Sequence, residues 1–355
     1  MFAKKIRMAT AALCSILAAA SAWGAEIENV KILLIPKMTG SAFFEAAHEG
    51  ARSFAARNGF TVEYRGNEEA DVQHQISIID LVIQQRNVDA ICISALDAPG
   101  LDTVLKRAMR SGINVTTWDS DANGDARSLM VSQGTPDQLG KMLVEMAAKS
   151  LISRGRKPAL EEIKYAWHYS SASVTDQNSC RAAGENYIKR AYPKWINAAP
   201  GNYHSDNNLQ KAVTVGESIF AEHPDIDVII CNDPTSLPGQ ATAARNLGKT
   251  AKDVTITGFA SPNAMRDFCK AGTVERWGLW DSREQGALAC YMAALLASGR
   301  AIKVGDKINV PEIGTIEVMP NTVLDPKAYS APNSGVILLP KRTEFTIENV
   351  DQYNF

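Results

Sequence analysis

Cysteine is scarce and unclustered in this chain. The 355 residues include six cysteines and five histidines, with no CxxC pair and no paired histidine spacing. A metal site wants such ligands close together, so neither a metal nor a cofactor is expected. Positive charge is not in surplus: the formal net charge is −2. A nucleic-acid partner would call for a basic excess. GxSxG, HExxH, P-loop and other glycine-rich phosphate motifs are missing, which removes the simplest signs of a hydrolase, a zinc peptidase or a nucleotide site. No long apolar run follows the first 25 residues, and a spanning helix needs about 20 such residues.

What is present begins at the N-terminus. Lys4, Lys5 and Arg7 precede an apolar run from Met8 to Ala20, broken only by Thr10 and Ser15. Ala22-Trp23-Gly24 then offers small residues at the positions a signal peptidase reads. This is the layout of a cleavable secretory signal, residues 1–24, and the run is too short for a membrane anchor. Cys14 follows Ala12-Leu13, which is the wrong context for lipidation. The five remaining cysteines lie outside the cytoplasm on this reading. Cys92 and Cys231 sit in apolar strand-like runs and read as buried thiols. An oxidising compartment would permit a Cys269–Cys290 disulfide.

The mature chain, about 330 residues, exceeds one comfortable core and implies two domains. Its pattern alternates strand and helix. Strands are expected at 31–36, 61–64, 89–94, 114–118 and 127–133, with helices at 42–57, 72–85 and 99–111 between them. The rhythm resumes with strands at 164–170, 228–232, 254–259 and 275–280. Helices at 176–191, 209–221, 236–247, 264–271 and 285–298 accompany them. Residues 307–318 read as a hairpin around Gly314, and 335–340 as a late strand. The strands are continuously apolar rather than alternating, which marks parallel sheets covered on both faces. The fold class is therefore α/β, with two doubly wound lobes.

Ligands of open α/β sheets bind beyond the carboxyl ends of the strands. Those exits are polar here: Lys37, Asp119, Asn232-Asp233 and Asp281. Two lobes facing each other would gather them around one cleft.

The segments IPKMTGSAFF, TTWDSD, QGTPDQLGKMLVEMAA, YSSASVTDQN, GLWDSREQG and VDQYNF carry a resemblance along the whole mature chain. It resembles type I periplasmic binding proteins, the sugar receptors of ABC importers, and among them the autoinducer-2 receptors of Lsr-type transporters. The resemblance implies two lobes joined by three crossing strands, with hinge closure around the ligand. By analogy the N-terminal lobe is 25–134 plus 281–326, and the C-terminal lobe 135–280 plus 327–355. It also implies a periplasmic location, an inner-membrane ABC permease as partner and a monomer.

The ligand implied is a small, uncharged, hydroxyl-rich furanose. Such a molecule needs convergent donors and carboxylate acceptors in a dry cleft. The matching motifs give Lys37 as donor and Asp119, Asp176 and Gln177 as further contacts. Each also has an ordinary reading, as a solvated lysine, a turn aspartate or a helix start. In the autoinducer-2 receptors two backbone contacts come from a Pro and an Ala flanking an Asp. This chain has Asn232-Asp233-Pro234, and Pro234 has no N–H to donate. Phe43, Phe44, Trp118 and Trp280 would line the cleft or simply fill the core, and Asp281, which follows Trp280 at an expected hinge, is a further candidate ligand contact.

The reading that results is an exported receptor for autoinducer-2, or for rhamnose, ribose, xylose or a related polyol. A sugar-responsive transcription regulator would need a basic helix-turn-helix where the leader stands. An exported carbohydrate-active enzyme would need acid–base carboxylates at these exits, without any recognised motif.

Overall fold

Four of the five side chains of KILLI at Lys31–Ile35 (β1) are buried. A strand sealed on both faces is what a continuously apolar run of this length produces. The structure is a computed structural model that describes residues 27–355; the expected leader and Cys14 lie outside the described residues. From β1 the chain runs through Ala42–Asn58 (α1), Thr61–Tyr64 (β2), Val72–Gln85 (α2) and Ala90–Ile93 (β3). It continues through Ala98–Arg110 (α3), Asn114–Trp118 (β4) and Leu129–Ser132 (β5).

The second series is Pro136–Ser153 (α4), Ile163–Tyr169 (β6), Thr175–Ala191 (α5), Trp195–Asn197 (β7), Tyr203–His204 (β8) and Leu209–Glu222 (α6). It continues with Val228–Cys231 (β9), Ser236–Asn246 (α7), Thr255–Gly258 (β10), Pro262–Lys270 (α8) and Trp277–Trp280 (β11). Ser282–Ala297 (α9) follows, then a hairpin of Lys307–Val310 (β12) and Gly314–Glu317 (β13). Met319–Pro320 (β14), Gly335–Leu338 (β15) and Arg342–Phe345 (β16) end the order. Thr135 starts α4 with a capping box, its hydroxyl accepting from the Gln138 amide. The alternation read from the sequence does not include α4, β7, β8 or β16.

The first sheet has the order β14-β15-β5-β4-β3-β1-β2, parallel except at β14. The second is the parallel set β10-β9-β6-β7, with β8 beside β6. β11 touches its edge through the Phe259–Gly278 bridge and pairs antiparallel with β16. Two α/β lobes result, and the chain crosses between them three times: at 133–135, at Asp281 and at 339–341. The expected limit at 326 would leave the late strand β15 out of the first sheet, whereas the pairing includes it. β15 is parallel to β5, with Gly335 opposite Leu129, so it completes the N-terminal lobe. A short apolar strand carries no mark of which sheet it will join.

α9 returns to the first lobe and packs against α1 through glycines. A Cβ added at Gly286 would lie 2.1 Å from the Ala47 carbonyl oxygen, and one at Gly50 would lie 2.2 Å from that of Arg283. Only glycine permits this approach. The five described cysteines are free and buried, so the Cys269–Cys290 bridge is not formed. Cys269 lies on α8 in the second lobe; Cys290, on α9 in the first, has Cys92 as its thiol neighbour. Among the described residues no helix is long and apolar enough to cross a membrane, and no group of three or more metal-ligating side chains is placed to hold an ion.

Candidate functional site

Three neighbouring strand exits of the first lobe deliver the first half of the site. Lys37 follows β1, Ser94 follows β3 and Asp119 follows β4. All three are buried. Lys37 Nζ lies 3.1 Å from Asp119 Oδ2, and the Ser94 hydroxyl donates to the same oxygen at 2.7 Å. Asp119 is held at φ +59°, a left-handed conformation that Asp tolerates better than most side chains. Backbone outliers of this kind concentrate at functional sites.

The second lobe supplies the opposite half. Asp176 lies in the first turn of α5. Gln177 follows it, and its Oε1 accepts from the Ser170 amide at 3.1 Å and the Ser170 hydroxyl at 2.6 Å. Asn232 and Asp233 leave the end of β9. Asn232 Nδ2 donates to the Gln177 carbonyl at 2.8 Å, while its buried Oδ1 has no hydrogen-bond partner. Asp233 folds back on the start of α7, accepting from the amides of Thr235 and Ser236 at 2.8 and 3.0 Å.

The two halves meet. Ser120, next to Asp119, donates its hydroxyl across the cleft to Asp176. Burial by itself would lower the pKa of Lys37, but Asp119, Asp176 and Asp233 together hold its ammonium above the ordinary range. Burial pushes Asp176 up to about 6; Lys37 opposes that and Asp119 adds to it. Burial also raises Asp233, against the hydroxyl and amide of Ser236 and the amide of Thr235. One buried cation thus faces two buried carboxylates, Asp119 and Asp233, and the half-buried Asp176. Such a site has acceptors in excess and disfavours an anionic ligand, because added negative charge would be desolvated beside them.

The other expected contacts divide. Pro234 is half-buried and lines a groove of about 360 Å³ shared by Met38 and Phe43 of the first lobe and Thr235 and Phe268 of the second. Phe43, Phe44, Trp118 and Trp280 are buried as one aromatic cluster. Phe43 meets Phe44 edge-on at 5.1 Å and Trp280 at 5.8 Å, and it stacks on Trp118 at 6.2 Å. Trp280 also donates its Nε1 to Gln285 at 2.6 Å. Asp281 does not join the convergence: it is exposed, and its carboxylate accepts from the amides of Arg283 and Glu284 at the start of α9.

Ser94, Ser120, Gln133 and Gln285 carry much of the network, yet no role for them was read from sequence. Three of them lie inside the motifs TTWDSD, QGTPDQLG and GLWDSREQG, so position was legible and pairing was not. A separate cavity of about 240 Å³ is lined by Asp176 and Gln133 together with Arg127, Leu139 and Asn321. It is not centred on Lys37, and the concentration of buried charge places the candidate site in the cleft. His168 is fully buried, and burial lowers its pKa to about 4, as befits a structural histidine.

Comparison with known proteins agrees with this architecture. LsrB from Clostridium saccharobutylicum, solved in complex with AI-2, is 55% identical with a TM-score of 0.90, covering 92% of this chain and 100% of that one. A solute-binding protein from Clostridium phytofermentas with bound L-rhamnose is 22% identical at a TM-score of 0.81, covering 92% and 98%, and shares the fold. The D-ribose/D-allose-binding protein of Pseudomonas aeruginosa is 27% identical over 282 residues, 77% of this chain and 84% of that protein. The periplasmic binding protein domain matches residues 32–301. With two parallel α/β lobes closed on a polar cleft, this chain belongs to the periplasmic binding protein family.

Proposed function

We propose that the chain is the solute receptor of an ABC importer and that it binds autoinducer-2 between its lobes. The observation that carries this is the convergence of Lys37, Asp119, Asp176 and Asp233 on one cation, with the buried Asn232 Oδ1 unpartnered beside Asp233 in the chain. Lys37 has three N–H donors and Asp119 uses one. A small polyol offers hydroxyls that donate to carboxylates and accept from an ammonium, which matches this set. The 55% identity to LsrB supports autoinducer-2 as the polyol. Asp119 and Lys37 would hold the ligand from the first lobe. Asp176, Gln177, Asn232 and the Asp233-Pro234 turn would hold it from the second. No bond of the ligand is made or broken; the receptor captures, closes and releases.

Asn232 and Pro234 favour a second reading, a related pentose or deoxyhexose. Pro234 lacks a donor, and losing one donor in a desolvated site costs about 1–3 kcal/mol. Asn232 adds an acceptor that a different hydroxyl pattern would use. The rest of the proposal is an N-terminal lobe of 27–134 plus 281–340, a C-terminal lobe of 135–280 plus 341–355, a cleaved leader, a periplasmic monomer and a membrane permease that accepts the closed form.

A thermal-shift series with autoinducer-2, rhamnose, ribose and xylose tests it. A ligand that binds only the folded state stabilises by about 2.7 kcal/mol at one hundred times its Kd. Autoinducer-2 is expected to raise Tm most. No shift with any of the four at millimolar concentration overturns the ligand class.

A further inference from the structure

We infer that Gln133 is the positioning residue through which occupancy of the cleft at Asp176 reaches all three crossings between the lobes. The inference rests on Asp176 being a ligand contact. Gln133 lies in the first crossing, directly after β5, and is buried. Its Nε2 donates to Asp176 Oδ2 at 3.5 Å, a long bond that a small shift would make or break. Its Oε1 accepts from Gln285 Nε2 at 3.2 Å. Gln285 also donates to the Val131 carbonyl at 3.0 Å and accepts from Trp280 Nε1, so it spans the second crossing at Asp281. The Gln133 carbonyl accepts from Arg342 Nη1 at 2.7 Å, and the same nitrogen donates to the Leu339 carbonyl at 3.2 Å. That closes on the third crossing. The guanidinium of Arg342 has no carboxylate partner among the described residues, and burial lowers its pKa; its hydrogen bonds go to backbone of the first and third crossings.

One side chain and its own carbonyl therefore join every segment that must rotate when the lobes move. Asp176 is held from two sides, by Ser120 across the cleft and by Gln133 at the hinge. Opening of the cleft would part Ser120 from Asp176, whereas Gln133 lies in the crossing segment itself. A ligand that reorients the Asp176 carboxylate changes what Gln133 can donate to, and with it the packing of Gln285 and Arg342. Energetic coupling of this kind needs a contiguous physical network with more than one arrangement.

The test compares wild type, Gln133→Met and Gln133→Glu. Methionine keeps the volume and removes both polar atoms; glutamate keeps the shape and reverses the interaction with Asp176. Ligand-free protein is measured by small-angle X-ray scattering, and autoinducer-2 affinity by calorimetry. Gln133→Met is expected to keep the wild-type Tm within about 3 °C, to show a larger ligand-free radius of gyration, and to bind autoinducer-2 about 5- to 30-fold more weakly, the worth of a buried hydrogen bond. Gln133→Glu is expected to lose more affinity at pH 7.5 than at pH 5.5, relative to wild type at each pH, because protonation restores the donor. An unchanged radius of gyration in both variants overturns the inference, as does equal loss at the two pH values. Should wild type fail to bind autoinducer-2 while the scattering difference persists, the ligand assignment falls and the hinge role stands.

Discussion

The ammonium of Lys37 and the carboxylate of Asp119 lie 3.1 Å apart with both side chains almost sealed from solvent. Asp176 and Asp233 share the field of the same cation. Removing one partner of a buried pair costs about 3–5 kcal/mol, because the other charge stays buried. The raised pKa of Lys37 makes its contribution fully present below the ordinary lysine value, so it is constant from pH 5 to 8. Lys37→Met is therefore expected to be strongly destabilised at pH 7.5 and less so at pH 5, where Asp176, already pushed up to about 6, takes up a proton. Urea unfolding at the two pH values measures this; equal losses at both would contradict it.

Asp176 has the opposite linkage from a typical paired carboxylate. Its folded pKa, about 6, lies above the unfolded value of 3.8, so the native state binds the proton more tightly. Stability contributed by this group is present at low pH and is lost as pH rises from about 4 to about 6. Two units correspond to about 3 kcal/mol as an upper bound. Asp176→Asn should thus unfold at higher urea than wild type at pH 7, with the gap vanishing near pH 4. The same substitution is expected to weaken ligand binding at least tenfold. Higher stability with weaker binding is the signature of a group kept for function.

Asp281 serves as a helix cap, so its substitution separates position from role. Asp281→Ala removes the acceptor for two amides of α9. A lost N-cap costs about 1 kcal/mol. Ligand affinity by calorimetry should stay within about twofold of wild type, and a tenfold loss would return Asp281 to the site.

The α1–α9 contact depends on a missing Cβ. In Gly286→Val the new atom would lie 2.1 Å from the Ala47 carbonyl oxygen, and backbone cannot yield as a flexible side chain does. Overpacking of this kind costs about 1–3 kcal/mol or more. The expected result is a lowered urea midpoint with the first lobe affected; an unchanged midpoint would show that the helices can part.

The described thiols are free and buried. Cys290 in particular has its pKa pushed far up by burial and by Cys92 beside it. Native mature protein is expected to show no reaction with a thiol reagent, and protein unfolded without reductant should titrate five thiols. Three would mean that one pair had been joined, and peptide mapping would show whether it is Cys92 and Cys290.

The elements of the fold were legible wherever a short apolar run met helical periodicity. β1, β3, β4, β9 and most helices lie within a few residues of their expected limits. α4 lies outside the alternation; β7 and β8 are three and two residues long, too short to carry a periodic signal, and β16 (RTEF) lacks the apolar run that marks β3 and β9. β15 is legible as a strand, but its pairing with β5 is not. In the site, the polar residues at strand exits were legible because parallel sheets put ligands there. Asp281 shared that position and caps a helix instead, since local backbone geometry and not strand position directs its carboxylate.

Composition and periodicity alone determined that this chain builds parallel α/β layers with charged groups at the strand ends. Those properties depend on neighbours within a few residues, which is the range over which sequence acts directly. Which carboxylates share Lys37, which strand completes which sheet, and how Gln133 gathers three crossings were decided only by the tertiary structure. Contacts between residues far apart in the chain arise from packing within and between the lobes, and no local pattern encodes them.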